Sequence, residues 1–186
     1  MDQAVQLIPL VCMRCNARIP AGYEEVAWVC TQCGQGQQII PGKGLAKLEV
    51  YYMAGLPPDL PGNPYWILDG TVSINTRESF GSAAKQFEEA RQFWEVSRRF
   101  FIPAHATTLE DFLSQATGLL LSPPILKPGL AVQFSPVTVP VEDAQPAAEF
   151  IVMAIEANRK DRLRNIDFSL ILGLPSLWIL GSGEAA

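Results

Sequence analysis

The spacing of apolar residues divides most of the chain into elements. Residues 45–54 (LAKLEVYYMA) read as a strand, the proline- and glycine-rich residues 55–64 as a turn-rich connection, and residues 65–74 as a second strand, which together predict a hairpin with a long loop. From residue 82 to residue 102 the period changes: Ala83, Phe87, Ala90, Trp94 and Phe101 recur at helical spacing, Phe93 and Phe100 widen the stripe, and Pro103 closes it, so one long helix is expected. Thr107-Thr-Leu-Glu110 has the form of a capping box, predicting a second helix with Leu109, Leu113, Ala116 and Leu120 on one face until Ser122-Pro-Pro124 stops it. Between residues 128 and 141 the apolar run is cut by Pro136 and Pro140, as in one or two strands near a sheet edge. Asp143 can then cap a third helix through about residue 157, with Pro146 in its first turn and a centre, Phe150-Ile-Val-Met-Ala-Ile155, apolar enough to predict burial on all sides.

The chain ends on a phrase it has used before. Gly173-Leu-Pro175 and Leu177-Trp-Ile-Leu180 repeat Gly55-Leu-Pro57 and Tyr65-Trp-Ile-Leu68, each set following a strand. This is the pattern of an internal duplication and equally of two unrelated apolar hairpins, because two copies do not separate those origins. Residues 44–181 are thus expected to form one domain, residues 1–43 a separate N-terminal unit and residues 182–186 a flexible tail.

All four cysteines lie in that N-terminal unit, as Cys12-Met-Arg-Cys15 and, with fourteen residues between, Cys30-Thr-Gln-Cys33. Two Cys-x-x-Cys turns at this separation can close four thiolates around one metal ion. The residues that follow, Asn16 and Gly34, are the two types that best tolerate the positive φ such knuckles need. On these residues the segment 7–40 resembles the rubredoxin-like zinc ribbons, and the resemblance covers about a fifth of the chain. It implies one structural Zn2+ on Cys12, Cys15, Cys30 and Cys33, and it implies no activity, since such ribbons serve many kinds of protein. Four thiolates also suit an iron site that carries electrons, and a Cys-x-x-Cys pair can cycle as a redox dithiol.

The fold class expected is α+β: an N-terminal zinc ribbon followed by a mostly antiparallel sheet packed against two or three helices. Its 186 residues suffice for one core and a small satellite. A net charge of −5 argues against work on nucleic acid backbone, and residues 1–43 are no exception, with Arg14, Arg18 and Lys43 balanced by Asp2, Glu24 and Glu25. One basic cluster stands out, Arg159, Lys160, Arg162 and Arg164 around Asp161, which reads either as a solvated turn or as a contact for an acidic partner, an anionic lipid or RNA.

Met1-Asp-Gln-Ala-Val-Gln lacks the positive segment and long apolar run of a secretion signal, so a cytoplasmic, reducing location is expected and the cysteines read as metal ligands. No stretch has the roughly 20 apolar residues of a spanning helix, which leaves peripheral membrane contact open. The chain holds one histidine, His105, and no nucleophile elbow, paired metal histidines or dinucleotide glycine pattern, so no enzymatic activity is expected. With charged residues at 18% and proline-rich loops such as residues 56–64 carrying apolar side chains, the reading is a non-enzymatic adaptor or assembly subunit that binds other proteins. A nucleic-acid-associated ribbon protein and a rubredoxin-like iron electron carrier are the alternatives.

Overall fold

The computed structural model describes residues 8–80 and 83–181; the tail expected at 182–186 lies outside them. Strands β1 (Ala27–Val29), β2 (Gly36–Ile40) and β3 (Gly44–Leu48) form an antiparallel sheet in that order. At the boundary expected between residues 1–43 and 44–181, Pro41-Gly-Lys-Gly44 is the turn between β2 and β3, and Gly42 and Gly44 supply its positive φ of 74° and 83°. Gly36 sits flush against β3: a Cβ there would lie 2.4 Å from the Leu48 carbonyl oxygen.

A second sheet holds β4 (Val50–Tyr52), β5 (Asn63–Phe80), β6 (Arg98–Pro103), β7 (Arg162–Leu172) and β8 (Ser176–Leu180). The 18-residue β5 is its spine. The first half of β5 lies between β8 and β6, and the second half pairs with β7; only β4 and β8 run parallel. The architecture is therefore α+β with mostly antiparallel pairing.

Neither Gly-Leu-Pro phrase makes a hairpin. Gly70 pairs with Leu172 and Ile67 with Ser176, so β7 and β8 follow one edge of β5 and Gly173-Leu-Pro175 is a bulge opposite Leu68 and Asp69. The Gly173 amide donates to the Asp69 carbonyl at 2.7 Å. The first phrase instead opens a loop at Gly55, with φ at 85°, and β8 lies between β4 and β5.

The long helix expected over residues 82–102 is a helix and a strand. Helix α1 (Ala83–Trp94) ends where the Arg98 guanidinium bonds the Phe93 carbonyl, Nε at 3.0 Å and Nη2 at 2.6 Å, and lies 4.0 Å over the Phe93 ring. The chain then continues as β6. Phe100, Phe101 and Ile102 are all fully buried, because the sheet is covered on both faces there, and a run buried on both faces carries no period that separates strand from helix.

Helix α2 (Leu109–Leu121) starts one residue later than the capping box predicted: the Asp111 amide donates to Thr108 Oγ1 at 3.1 Å, and that hydroxyl donates to the Asp111 carboxylate at 2.7 Å. Its Ala116 and Leu120 join the main core while Leu119 packs with the cluster on the opposite sheet face, so α2 straddles both. Residues 128–141 form no strand; single bridges tie Pro128 to Met53, Phe134 to Gly62 and Val137 to Ala27. The last of these fastens the ribbon to the larger body.

Helix α3 (Ala144–Ala157) buries Ala148, Ile151, Val152 and Ile155 but exposes Phe150 and Met153, so one face, and not the whole circumference, is core. Asp143 precedes it without a side-chain capping bond. The main core gathers Trp66, Leu68, Val72, Trp94, Phe100 and Ile102 with these helices.

Candidate metal centre

The ribbon builds one loop twice. In the first knuckle the Asn16 amide donates to the Cys12 carbonyl at 2.9 Å and the Cys12 amide to the Ala17 carbonyl at 2.8 Å; in the second, Gly34 donates to Cys30 and Cys30 to Gln35, each at 2.9 Å. Closing the loop this way requires a left-handed residue after the second cysteine, and Asn16 and Gly34 have φ of 57° and 71°. β1 carries the chain out of one knuckle region and delivers Cys30.

The loops bring all four sulfurs together. Cys12 and Cys33 Sγ are 3.5 Å apart, Cys15 and Cys30 Sγ are 3.6 Å apart, and no two of the four are more than 4.8 Å apart. A tetrahedral ion with metal–sulfur bonds of about 2.3 Å needs sulfur–sulfur edges of about 3.8 Å. The set fits one metal ion, and its four places are all taken by cysteine.

Electrostatics favour the same occupant. The Arg14 amide, 3.4 Å from Cys12 Sγ, leads the causes that bring the Cys12 thiol down to about 6. For Cys15 the Ala17 amide pulls down, but burial and the sulfurs of Cys33, Cys30 and Cys12 outweigh it and push the thiol up to about 12. Cys33 is also raised: the Gln35 amide and the Cys15 sulfur pull down, while burial and the Cys12 and Cys30 sulfurs push up. Cys15 and Cys33 thus resist ionising beside Cys12, and a cation among the sulfurs removes that conflict.

Two supporting residues escaped sequence reasoning. Gln37, fully buried on β2, accepts the Met13 amide at 3.1 Å and donates to the Val11 carbonyl at 3.4 Å, tying the first knuckle to the sheet. Glu25 accepts from Trp28 Nε1 and the Gly22 amide, both at 2.7 Å, and so holds the indole beside Cys12, Ile19 and Cys30. The signal available for Gln37 was its place one residue inside a strand that begins next to a cysteine knuckle.

The basic cluster divides. Arg159 Nε binds Glu156 at 2.8 Å and is mostly covered, whereas Lys160, Arg162 and Arg164 are exposed. His105 lies edge-on to Tyr65 and its pKa is lowered by burial.

In comparisons with protein-family models, curated proteins and solved structures, none matches the chain. Among the described residues no helix is long and apolar enough to cross a membrane.

Proposed function

We propose that the protein is a non-enzymatic zinc-ribbon adaptor, in which one Zn2+ on Cys12, Cys15, Cys30 and Cys33 fixes the ribbon and the ribbon and body together dock other proteins. The observation that carries this reading is the closed four-sulfur set. A catalytic zinc keeps a position for water or substrate, while four thiolates leave none, so the metal's work is to hold structure. Little else holds the knuckles: the core between them is built on the buried Cys12, Ile19, Trp28 and Cys30, and two of these four are ligands.

Support for the docking role comes from apolar side chains outside the three core clusters. Leu174 is 94% exposed, Leu130 88% and Ile125 80%, and Leu60 stands out from the proline-rich loop 56–64. Prolines have already restricted that loop, so ordering it on a partner costs little entropy. The test is a mild-detergent pull-down from the native host with mass spectrometry, comparing the wild-type chain with Cys30→Ser. The reading expects discrete protein partners in stoichiometric amount that are lost with the ribbon. Finding none with the metal-loaded chain, or the same set with both chains, would contradict it.

A further inference from the structure

The strand that starts at the basic cluster has an open side. Among the described residues β7 pairs only with β5, so its other edge keeps unpaired backbone donors and acceptors. α3 covers that edge at one point, where Gln145 Nε2 reaches the Leu170 carbonyl at 3.3 Å. Residues 162–169 have no such cover from the described residues.

The same stretch carries unpaired positive charge. Arg77 and Arg159 are engaged by Glu156 and Asp161. Lys160, Arg162 and Arg164 are exposed, and none has a carboxylate within ion-pair reach among the described residues. Arg162 and Arg164 flank half-buried Leu163 and are both exposed, Arg164 as the extra residue of a bulge between the Leu163–Ser79 and Asn165–Glu78 pairs. Phe80, 66% exposed, is the cross-strand partner of Arg162.

We propose that the free edge of β7 over residues 162–169 is a docking site for an extended acidic segment of a partner protein, which adds to the sheet as a further strand. Backbone hydrogen bonds would supply affinity, and carboxylates at alternate positions would meet Arg162 and Arg164 as cross-strand pairs, with Lys160 beyond the strand end. Register is specified by the acid that β7 itself carries. Asp167, held by Asn75 Nδ2 at 3.0 Å, lies on the same exposed face and repels a third carboxylate, and Glu78 stands opposite Asn165. The favoured segment is therefore acidic at one end and neutral or basic towards Asp167. Three cations are few for a nucleic acid backbone or a lipid surface, each contributing only about 1 kcal/mol at an anionic membrane. With a net charge of −5 the chain as a whole repels polyanions, so an acidic ligand that binds must bind locally.

This inference rests on the protein-docking reading and is tested apart from it. The probe is a labelled, end-capped peptide of about eight residues, with Glu alternating with Thr over one half and only uncharged Thr and Ser over the other, long enough to pair with a typical strand, titrated with the full zinc-loaded chain by fluorescence anisotropy. Expected are binding that weakens with salt, a loss of about tenfold or more in Arg162→Glu/Arg164→Glu, and a comparable loss when alternate peptide amides are N-methylated and cannot donate to the edge. Both arginines are exposed, so circular dichroism of the double variant should match wild type. Unchanged binding in the double variant, indifference to N-methylation, or tighter binding of single-stranded RNA or phosphatidylserine vesicles than of the peptide would overturn the proposal. If the peptide fails while the ribbon-dependent pull-down succeeds, the β7 site falls and the adaptor reading stands. If the peptide binds as expected while the pull-down finds no ribbon-dependent partner, the β7 site stands and the ribbon's part in docking falls.

Discussion

Glu156 offers the sharpest test of how the body is held together. It sits on the last turn of α3, fully buried, and accepts from Arg77 Nε at 2.9 Å, Arg159 Nε at 2.8 Å and Trp94 Nε1 at 2.8 Å. One carboxylate thus joins β5, the end of α1 and the end of α3. Helix C-termini disfavour anions, and the two guanidiniums offset that. Glu156→Ala would orphan the Trp94 N–H, at about 1–3 kcal/mol. Removing one partner of a buried ion pair costs about 3–5 kcal/mol, here reduced because Arg77 keeps Asp161 at 2.8 Å.

A net loss of about 4 kcal/mol is the expectation, a large part of the usual 5–15 kcal/mol. At about 2–4 °C per kcal/mol for a chain of this size, the Tm should fall by about 10 °C. Urea unfolding of the zinc-loaded protein, followed by tryptophan fluorescence, measures the change. Glu156→Gln should lose less than Glu156→Ala, because its amide oxygen still accepts from the Trp94 N–H. A cost below about 1 kcal/mol for Glu156→Ala, or a Glu156→Gln variant less stable than Glu156→Ala, would refute the claim that this carboxylate joins the elements.

Cys30→Ser should unfold the ribbon yet leave the far-ultraviolet helical signal largely intact, since all three helices belong to the body. Gly36→Ala places a methyl against the Leu48 carbonyl and Val50 Cγ2 and should lower the Tm of the ribbon and speed metal loss to a chelator. The Asp161 carboxyl is held below its ordinary range by the Arg77 guanidinium, so its stabilisation is present above the unfolded pKa of about 3.9 and is lost as pH falls through the lower folded value; Asp161→Asn should flatten the acid limb of a stability–pH curve. His105, lowered by burial, contributes above its unfolded pKa of about 6.5 and less as pH falls below it. As the chain's one histidine, it gives a single imidazole titration by NMR, which should fall below the ordinary value.

Local chemistry is legible in the chain and long-range pairing is not. The knuckles can be read because spacing, Asn16 and Gly34 all act within a few residues of the sulfurs, and α2 and α3 are visible from their first turns. β6 reads as helix because Phe100-Phe101-Ile102 is buried on both faces and keeps no period. Gly173-Leu-Pro175 looks like a turn because what makes it a bulge is Asp69, far away in sequence. Arg77 cannot be singled out from its exposed neighbours Thr76 and Glu78, since its partners Glu156 and Asp161 arrive only when β7 pairs with β5. Gln37 likewise reveals its role only once β2 passes under the first knuckle.

The central claim is that four cysteines hold one zinc whose role is structural. Elemental analysis of protein purified without added metal, with ribbon order followed by NMR as a chelator removes the metal, tests it most directly. The account predicts about one zinc per chain and loss of ribbon order on its removal, as closed four-thiolate sites require. A red, iron-containing protein, or a metal-free chain whose ribbon stays folded, would contradict it.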